Sequence, residues 1–378
     1  MSGITAGEKS SGIELRGLIA AAGNSSRMGD FKPLMEINGF PMITMTVQSM
    51  RNAGIREITV VIGRNANEMR KILTPLGVHL VENPDYRKTD MLHSVQLGLK
   101  TMTEAEGICF LPGDMPLISP LVLKKIKDRI LGMKKSSQVL IPMLGEKQAH
   151  PPVFFPGAYT PILTWKGEGG MRRVFELLER EYVSLDDPGI LMDADVQADI
   201  ASMRKHAKAT RGISGKLCAE LYREMYLPEN IRRHCIAVGN LAGEMAERLI
   251  ENGACLDVEL CRSGGYVHDI CRLLPCHEKR TGEFLTQKGY LALAEIAKAH
   301  GGFTEMPRSI CQERVIVCLA DKLVQETKRV TLWQRYQKAF RNPVVKPSIK
   351  KSYDICCRLV KEYEERTGEK LYAADLSE

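Results

Sequence analysis

"LIAAAGNSSRMGDFKPL", residues 18–34, places an apolar run, a turn of small residues and two cations in immediate succession. Residues 18–22 are too few for a helix and uniformly apolar, which predicts a buried strand. The turn from Gly23 through Ser25 and Ser26 offers backbone N–H groups that a ligand can approach closely. Arg27 and Lys32 follow, with Asp30 as the nearest acid. A strand, a small-residue loop and then fixed positive charge suit a polyphosphate.

The 378-residue chain is 44% hydrophobic and 26% charged, which places it among ordinary globular proteins rather than fibrous or disordered ones. No apolar run reaches the roughly 20 residues of a membrane span, and the first residues lack a signal peptide's apolar core. These features predict a soluble, cytoplasmic protein without a membrane partner. A formal charge of +7 spread along the chain argues against nucleic acid. Of the eleven cysteines, only Cys109 precedes residue 200, and there is no C-x-x-C pair, so free thiols are expected. Four of the eight histidines lie between His234 and His300. Composition changes at the polar, basic stretch 202–215, which reads as a linker. The expected layout is a disordered tail over 1–14, one domain over 15–201 and a second over 216–378.

In the first domain, buried-strand patterns at 58–63, 78–83, 107–114 and 138–143 alternate with helical patterns near 41–53, 65–74, 91–101 and 119–132. That alternation predicts an α/β domain with a mostly parallel sheet. Ligands collect at the carboxyl ends of strands in such sheets. Asp114 sits there, after "CFLPG", and is placed to hold Mg²⁺, a cation that prefers oxygen ligands. Ser119 is the better cap for the helix that follows. Asp195, in "LMDADVQADI" (191–200), either caps a helix starting at Val196 or completes a metal site with Asp114.

Taken in order, "AAGNSSRMGDFKPL", "LPGDMPLI", "AHPPVFF", "GEGGMRR" and "DADVQAD" resemble the motifs of the nucleotidyltransferase family that includes molybdenum cofactor cytidylyltransferase. The resemblance covers about 15–200. It implies a Rossmann-like fold of the nucleotide-diphospho-sugar-transferase type, which moves a nucleotidyl group from an NTP and releases pyrophosphate. It further implies nucleotide contacts at Ala21, Ala22, Gly23, Ser25, Ser26, Arg27, Lys32, Ser94 and Gly113. Arg27, Lys32 and Asp114 inherit catalytic roles, and the metal aspartates map to Asp114 and Asp195. Ala21-Ala22-Gly23 resembles the CTP users, where guanylyl-transferring relatives tend to have glycine in place of Ala22. The implied acceptor is a phosphate-bearing small molecule such as molybdopterin, with a molybdoenzyme or its maturation factor as recipient. The chain departs from the family at Asp90 and His93, where glycine and serines are usual, and at Ala149, where glycine is usual.

From residue 216 the pattern is helical, which predicts an all-α domain ending in a charged helix near 350–370. His268-Asp269 and Asp321 each sit inside apolar sequence, where buried charge needs a partner or a metal. Imidazole and carboxylate together suit Fe, Mn, Zn or Mg. With His234 they resemble the H…HD…D pattern of HD-domain phosphohydrolases over about 225–335. His277 and His300 resemble the extra ligands of binuclear members. The resemblance implies phosphoester hydrolysis at a divalent metal, with Asp269 catalytic. Here the usual HDIGK reads "HDICR", with Cys271 and Arg272 in place of glycine and lysine. The leading reading is a bifunctional enzyme. The alternative is a sugar- or alcohol-phosphate cytidylyltransferase whose HD domain senses nucleotides.

Overall fold

A computed structural model describes residues 13–23, 31–134, 136–195, 197–341 and 347–371. The chain divides into two compact units, residues 1–33 with 55–193 and residues 34–54 with 194–378.

The first unit is organised by strand β1 (Leu15–Ala21), in which five of seven residues are buried. A strand covered on both faces reads as a continuous apolar run, which is why 18–22 carries no polar alternation. Its partners are β2 (Ile58–Ile62), β3 (His79–Glu82), β4 (Gly107–Pro112), β5 (Val139–Leu144), β6 (Lys147–Gln148), β7 (Val153–Phe154) and β8 (Arg180–Ser184). The sheet runs β8-β5-β7-β4-β1-β2-β3, with β6 paired to β5 alone. Pairing is parallel except where β7 enters between β4 and β5 and where β6 folds back on β5. The two-residue antiparallel pieces were not expected, since they leave no periodicity to read, nor was the edge strand β8, none of whose five residues is buried.

Parallel registry fixes where the loops emerge. Ala20 lies opposite Pro112 across β1 and β4, so the turn after Ala22 and the turn at Gly113-Asp114 leave the same carboxyl edge side by side. A Cβ on Gly113 would come within 2.7 Å of the Ala21 Cβ, so only glycine lets the two turns approach this closely. Helix Pro120–Ile130 starts with Ser119 accepting from the Val122 N–H and with proline at its first position.

The second unit is helical, with the core of a layered bundle. Helices Glu229–Glu251 and Val258–Val267 meet through glycines, since a Cβ on Gly265 would lie 2.4 Å from the Gly239 Cα. The charged helix Pro347–Thr367 buries Ile355, Cys356, Leu359 and Tyr363 in the same core.

Three features depart from the sequence reading. Residues 202–210 belong to helix Gln197–Thr210 instead of a linker, because Ile200, Met203 and Ala207 form a buried stripe under the basic surface. Two hairpins interrupt the helices. One, Glu36–Ile37 with Phe40–Pro41, turns at Asn38-Gly39, both with positive φ as a tight hairpin turn demands. The other, Val324–Gln325 with Lys328–Arg329, ends the helical pattern expected to continue through 329, and Glu326 takes φ 57° there.

Candidate metal centre and nucleotide site

In the second unit, each histidine of the pattern sits on or at the end of a different helix. His234 lies on Glu229–Glu251, His268 just after Val258–Val267, His277 at the start of His277–Gln287 and His300 just after Leu291–Ala299. Asp321 closes in from Glu313–Lys322. The structure gathers all six residues singled out by the H…HD…D pattern and its two extra histidines. Among the described residues they form, together with Glu278, the sets His234/His268/Asp321, His268/Asp269/His300 and His277/Glu278/His300, each with ligand atoms within 4.8 Å of one another.

The hydrogen bonds fix the tautomers. His234 Nδ1 lies 3.0 Å from the Glu326 carbonyl, His268 Nδ1 2.7 Å from the Gly265 carbonyl, and His300 Nδ1 bonds the Ala297 carbonyl. A carbonyl oxygen only accepts, so each Nδ1 carries a proton and Nε2 is the ring nitrogen that faces the centre. Those nitrogens converge on carboxylates. His234 Nε2 is 3.1 Å from Asp321 Oδ1, and His300 Nε2 is 3.1 Å from Asp269 Oδ1. His268 Nε2, fully buried, lies 3.6 Å from Asp269 Oδ2 and 3.7 Å from Asp321 Oδ1 and has no hydrogen-bond partner. Acceptors facing acceptors at this range repel unless a proton or cation lies between them. Backbone-anchored imidazoles with Nε2 turned inward, an orphaned buried nitrogen and two carboxylates are a donor set that fits a divalent metal.

Burial opposes ionisation of Asp321, but the ammonium of Lys322 at 2.6 Å, helped by His234 and His268, holds its carboxyl well below the usual range. Asp269 is held low in the same way: His300, His268 and Arg272 outweigh its burial. A cavity of about 710 Å³ opens beside the centre, lined by Arg233, Arg272 and Arg335 among others. Lys322, Arg335 and the Glu326 carbonyl were not singled out from the sequence. Lys322 alone left a signal, a lysine in an otherwise apolar helix segment directly after Asp321.

In the first unit, the Lys32 ammonium, largely buried, stands 3.6 Å from Asp114 Oδ2 at the sheet edge. Ala21 and Ala22 are buried, so any ligand contact from them is through the backbone. Around Gly23 a Cβ would meet nothing within 4 Å. Ser25, Ser26 and Arg27 lie outside the described residues. Ser94 is buried with its hydroxyl 3.2 Å from Asn83 Nδ2, so it serves the local structure of that loop. Asp90, one of the departures from the family, caps helix Met91–Leu99 by accepting from the His93 N–H. Asp195 falls in the second compact unit, whereas Asp114 falls in the first. A cavity of about 620 Å³ is lined by Phe110, Ile141, Met171 and Phe175, with Glu146, Lys147, His150 and Arg172 among its polar members. Burial lowers His150 to about 4, so its ring is neutral near pH 7.

Residues 17–183 match the family model of the MobA-like NTP transferase domain, and residues 231–325 match that of the HD domain. Among curated relatives, CMP-5'-(3-aminopropyl)phosphonate synthase of Streptomyces rubellomurinus is 28% identical over 123 residues, 30% of this chain and 19% of that protein. The bifunctional protein GlmU of Rhizorhabdus wittichii is 30% identical over 118 residues, 30% of this chain and 26% of that protein. The chain thus spans about a fifth to a quarter of the length of these two relatives. A nucleotidyl transferase of known structure from Methanothermobacter thermautotroptrophicus is 24% identical, with 51% of this chain and 97% of that chain covered and a TM-score of 0.45. Among the described residues no helix is long and apolar enough to cross a membrane. The chain carries a MobA-like NTP transferase domain followed by an HD domain.

Proposed function

We propose that the chain is a bifunctional enzyme. Its first domain transfers a nucleotidyl group from an NTP, with CTP preferred, to a phosphate-bearing acceptor of the molybdopterin type, releasing pyrophosphate. Its HD domain hydrolyses phosphoesters at a divalent-metal centre held by His234, His268, Asp269 and Asp321, extended by His277 and His300. The observation that carries the second half is the backbone anchoring of three histidines by Nδ1, which turns their Nε2 atoms toward the carboxylates of Asp321 and Asp269.

Nucleotidyl transfer needs positioning and charge neutralisation more than a covalent nucleophile. An acceptor phosphate oxygen bonds to the α-phosphorus as the bond to pyrophosphate breaks in line. The buried Lys32 ammonium supplies positive charge where the triphosphate would lie, and Asp114 offers oxygen to Mg²⁺. We assign Arg27 to the same triphosphate and a metal-ligand role to Asp195. In the HD domain the bound ion would lower the pKa of a water and polarise a phosphoryl oxygen. Arg233, Arg272 and Arg335 line the cavity mouth and can pair with phosphate oxygens. Lys322 bonds both Asp321 and the His300 carbonyl, so it ties the two ends of the centre together.

The Streptomyces relative named for a CMP-linked phosphonate supports a cytidylyl donor. The same name favours, as a second reading, a sugar- or alcohol-phosphate cytidylyltransferase with a nucleotide-sensing HD domain. Eleven free thiols support placing the chain in the cytoplasm, where a molybdoenzyme or its maturation factor would receive the product.

Thermal unfolding with Mg²⁺ and each of CTP, GTP, ATP and UTP tests the transferase half. A nucleotide at about 100 times its Kd adds about 2.7 kcal/mol, which raises the transition of a domain this size by several degrees. We expect the shift with CTP and its loss in Asp114→Ala. Equal melting with all four nucleotides and with none would contradict the assignment.

A further inference from the structure

Arg272 stands where the lysine of the HDIGK motif would stand, and its guanidinium reaches into the centre. Its Nη1 donates to His277 Nε2 at 2.8 Å and lies 3.5 Å from Asp269 Oδ1. Guanidinium only donates, so His277 Nε2 is the acceptor and the ring proton sits on Nδ1, which faces Glu278 Oε2 at 3.5 Å. His277 Nε2 is itself 3.2 Å from Asp269 Oδ1. A lone pair and a carboxylate oxygen at that range need a shared cation, and the guanidinium provides the charge. An imidazole nitrogen has one in-plane lone pair, which cannot serve an N–H donor and a metal together. Among the described residues the His234, His268 and Asp321 set has no such competitor on its imidazole nitrogens: His234 Nε2 faces Asp321, and His268 Nε2 has no hydrogen-bond partner.

We infer that the Arg272 guanidinium competes with a second metal ion for His277, so that the HD centre holds one ion tightly and admits a second only when Arg272 swings away. The inference rests on the metal reading above. Half of the Arg272 side chain is exposed, which gives it solvent to move into.

The test is a Mn²⁺ titration of the metal-stripped full chain, followed by loss of the free-ion paramagnetic resonance signal and by the appearance of an exchange-coupled pair. The wild type is expected to bind one ion tightly and a second at least about tenfold more weakly. In Arg272→Ala the second ion should tighten on the order of tenfold, the scale of a group that contacts a ligand rather than the ion. The double variant Arg272→Ala/His277→Ala should return to a single ion, with no coupled pair. The first ion's affinity, kept in every variant, reports that the fold is intact. Two ions of equal affinity in the wild type, or an unchanged second affinity in Arg272→Ala, would overturn the inference. Failure of any protein to bind even a first ion would remove the metal reading itself, and this inference with it.

Discussion

Asp269→Asn is expected to lower phosphoester hydrolysis by roughly a hundredfold to a thousandfold, the range seen when one charge-stabilising group is taken from a preorganised site. The two oxygens of Asp269 serve different partners. Oδ1 lies 3.1 Å from His300 Nε2 and 3.2 Å from His277 Nε2, while Oδ2 faces His268 Nε2 at 3.6 Å. No other carboxylate among the described residues has both arrangements. Asparagine keeps the shape but removes the charge, and its amide N–H groups can satisfy histidine lone pairs directly. The variant should therefore fold and yet bind metal poorly. Hydrolysis of p-nitrophenyl phosphate and bis-p-nitrophenyl phosphate with added Mn²⁺ provides the measurement. Activity within threefold of wild type would show that Asp269 is structural.

Gly265→Ala is expected to cost about 3 kcal/mol and to lower the HD domain's melting temperature by roughly 6–12 °C. The added Cβ would lie 2.4 Å from the Gly239 Cα and 2.5 Å from its nitrogen. Both are backbone atoms, so no rotamer change can relieve the clash and the two helices must separate. The Gly265 carbonyl is also the acceptor that orients His268, so the displacement reaches the metal centre. Gly215→Ala is the control: its Cβ would meet nothing within 4 Å, and it should melt within a degree or two of wild type. A Gly265→Ala protein that melts like the control would refute the close-packing account.

These predictions separate what could be read in the chain from what could not. The strand at 18–22, the placement of Asp114 at the sheet edge and the Ser119 cap follow from local apolar runs and turn residues, which one sequence displays directly. So does the burial of His268, Asp269 and Asp321, because charged residues inside apolar helices must face one another or a metal, while His234 came from the resemblance to the H…HD…D pattern. The fixed tautomers were hidden, since they depend on the carbonyls of Gly265, Ala297 and Glu326, and a carbonyl has no sequence signature. The hairpin at Glu326 was missed for a related reason. Its residues continue an amphipathic pattern, and the chain turns there to bring the Glu326 carbonyl to His234. Arg272 was visible as a substitution, but its position on His277 is a tertiary fact. Ser94, expected at the nucleotide, is held by Asn83, a partner eleven residues away that no short motif contains.

Elemental analysis of the purified chain, compared with Asp321→Asn, tests most directly the claim that the HD domain is a metal centre. The account predicts at least one bound iron, manganese or zinc ion per wild-type chain, and its loss from the variant, because Asp321 Oδ1 faces both His234 and His268. A wild-type chain that carries no ion, takes up none from added Mn²⁺ and melts at the same temperature as Asp321→Asn would contradict it.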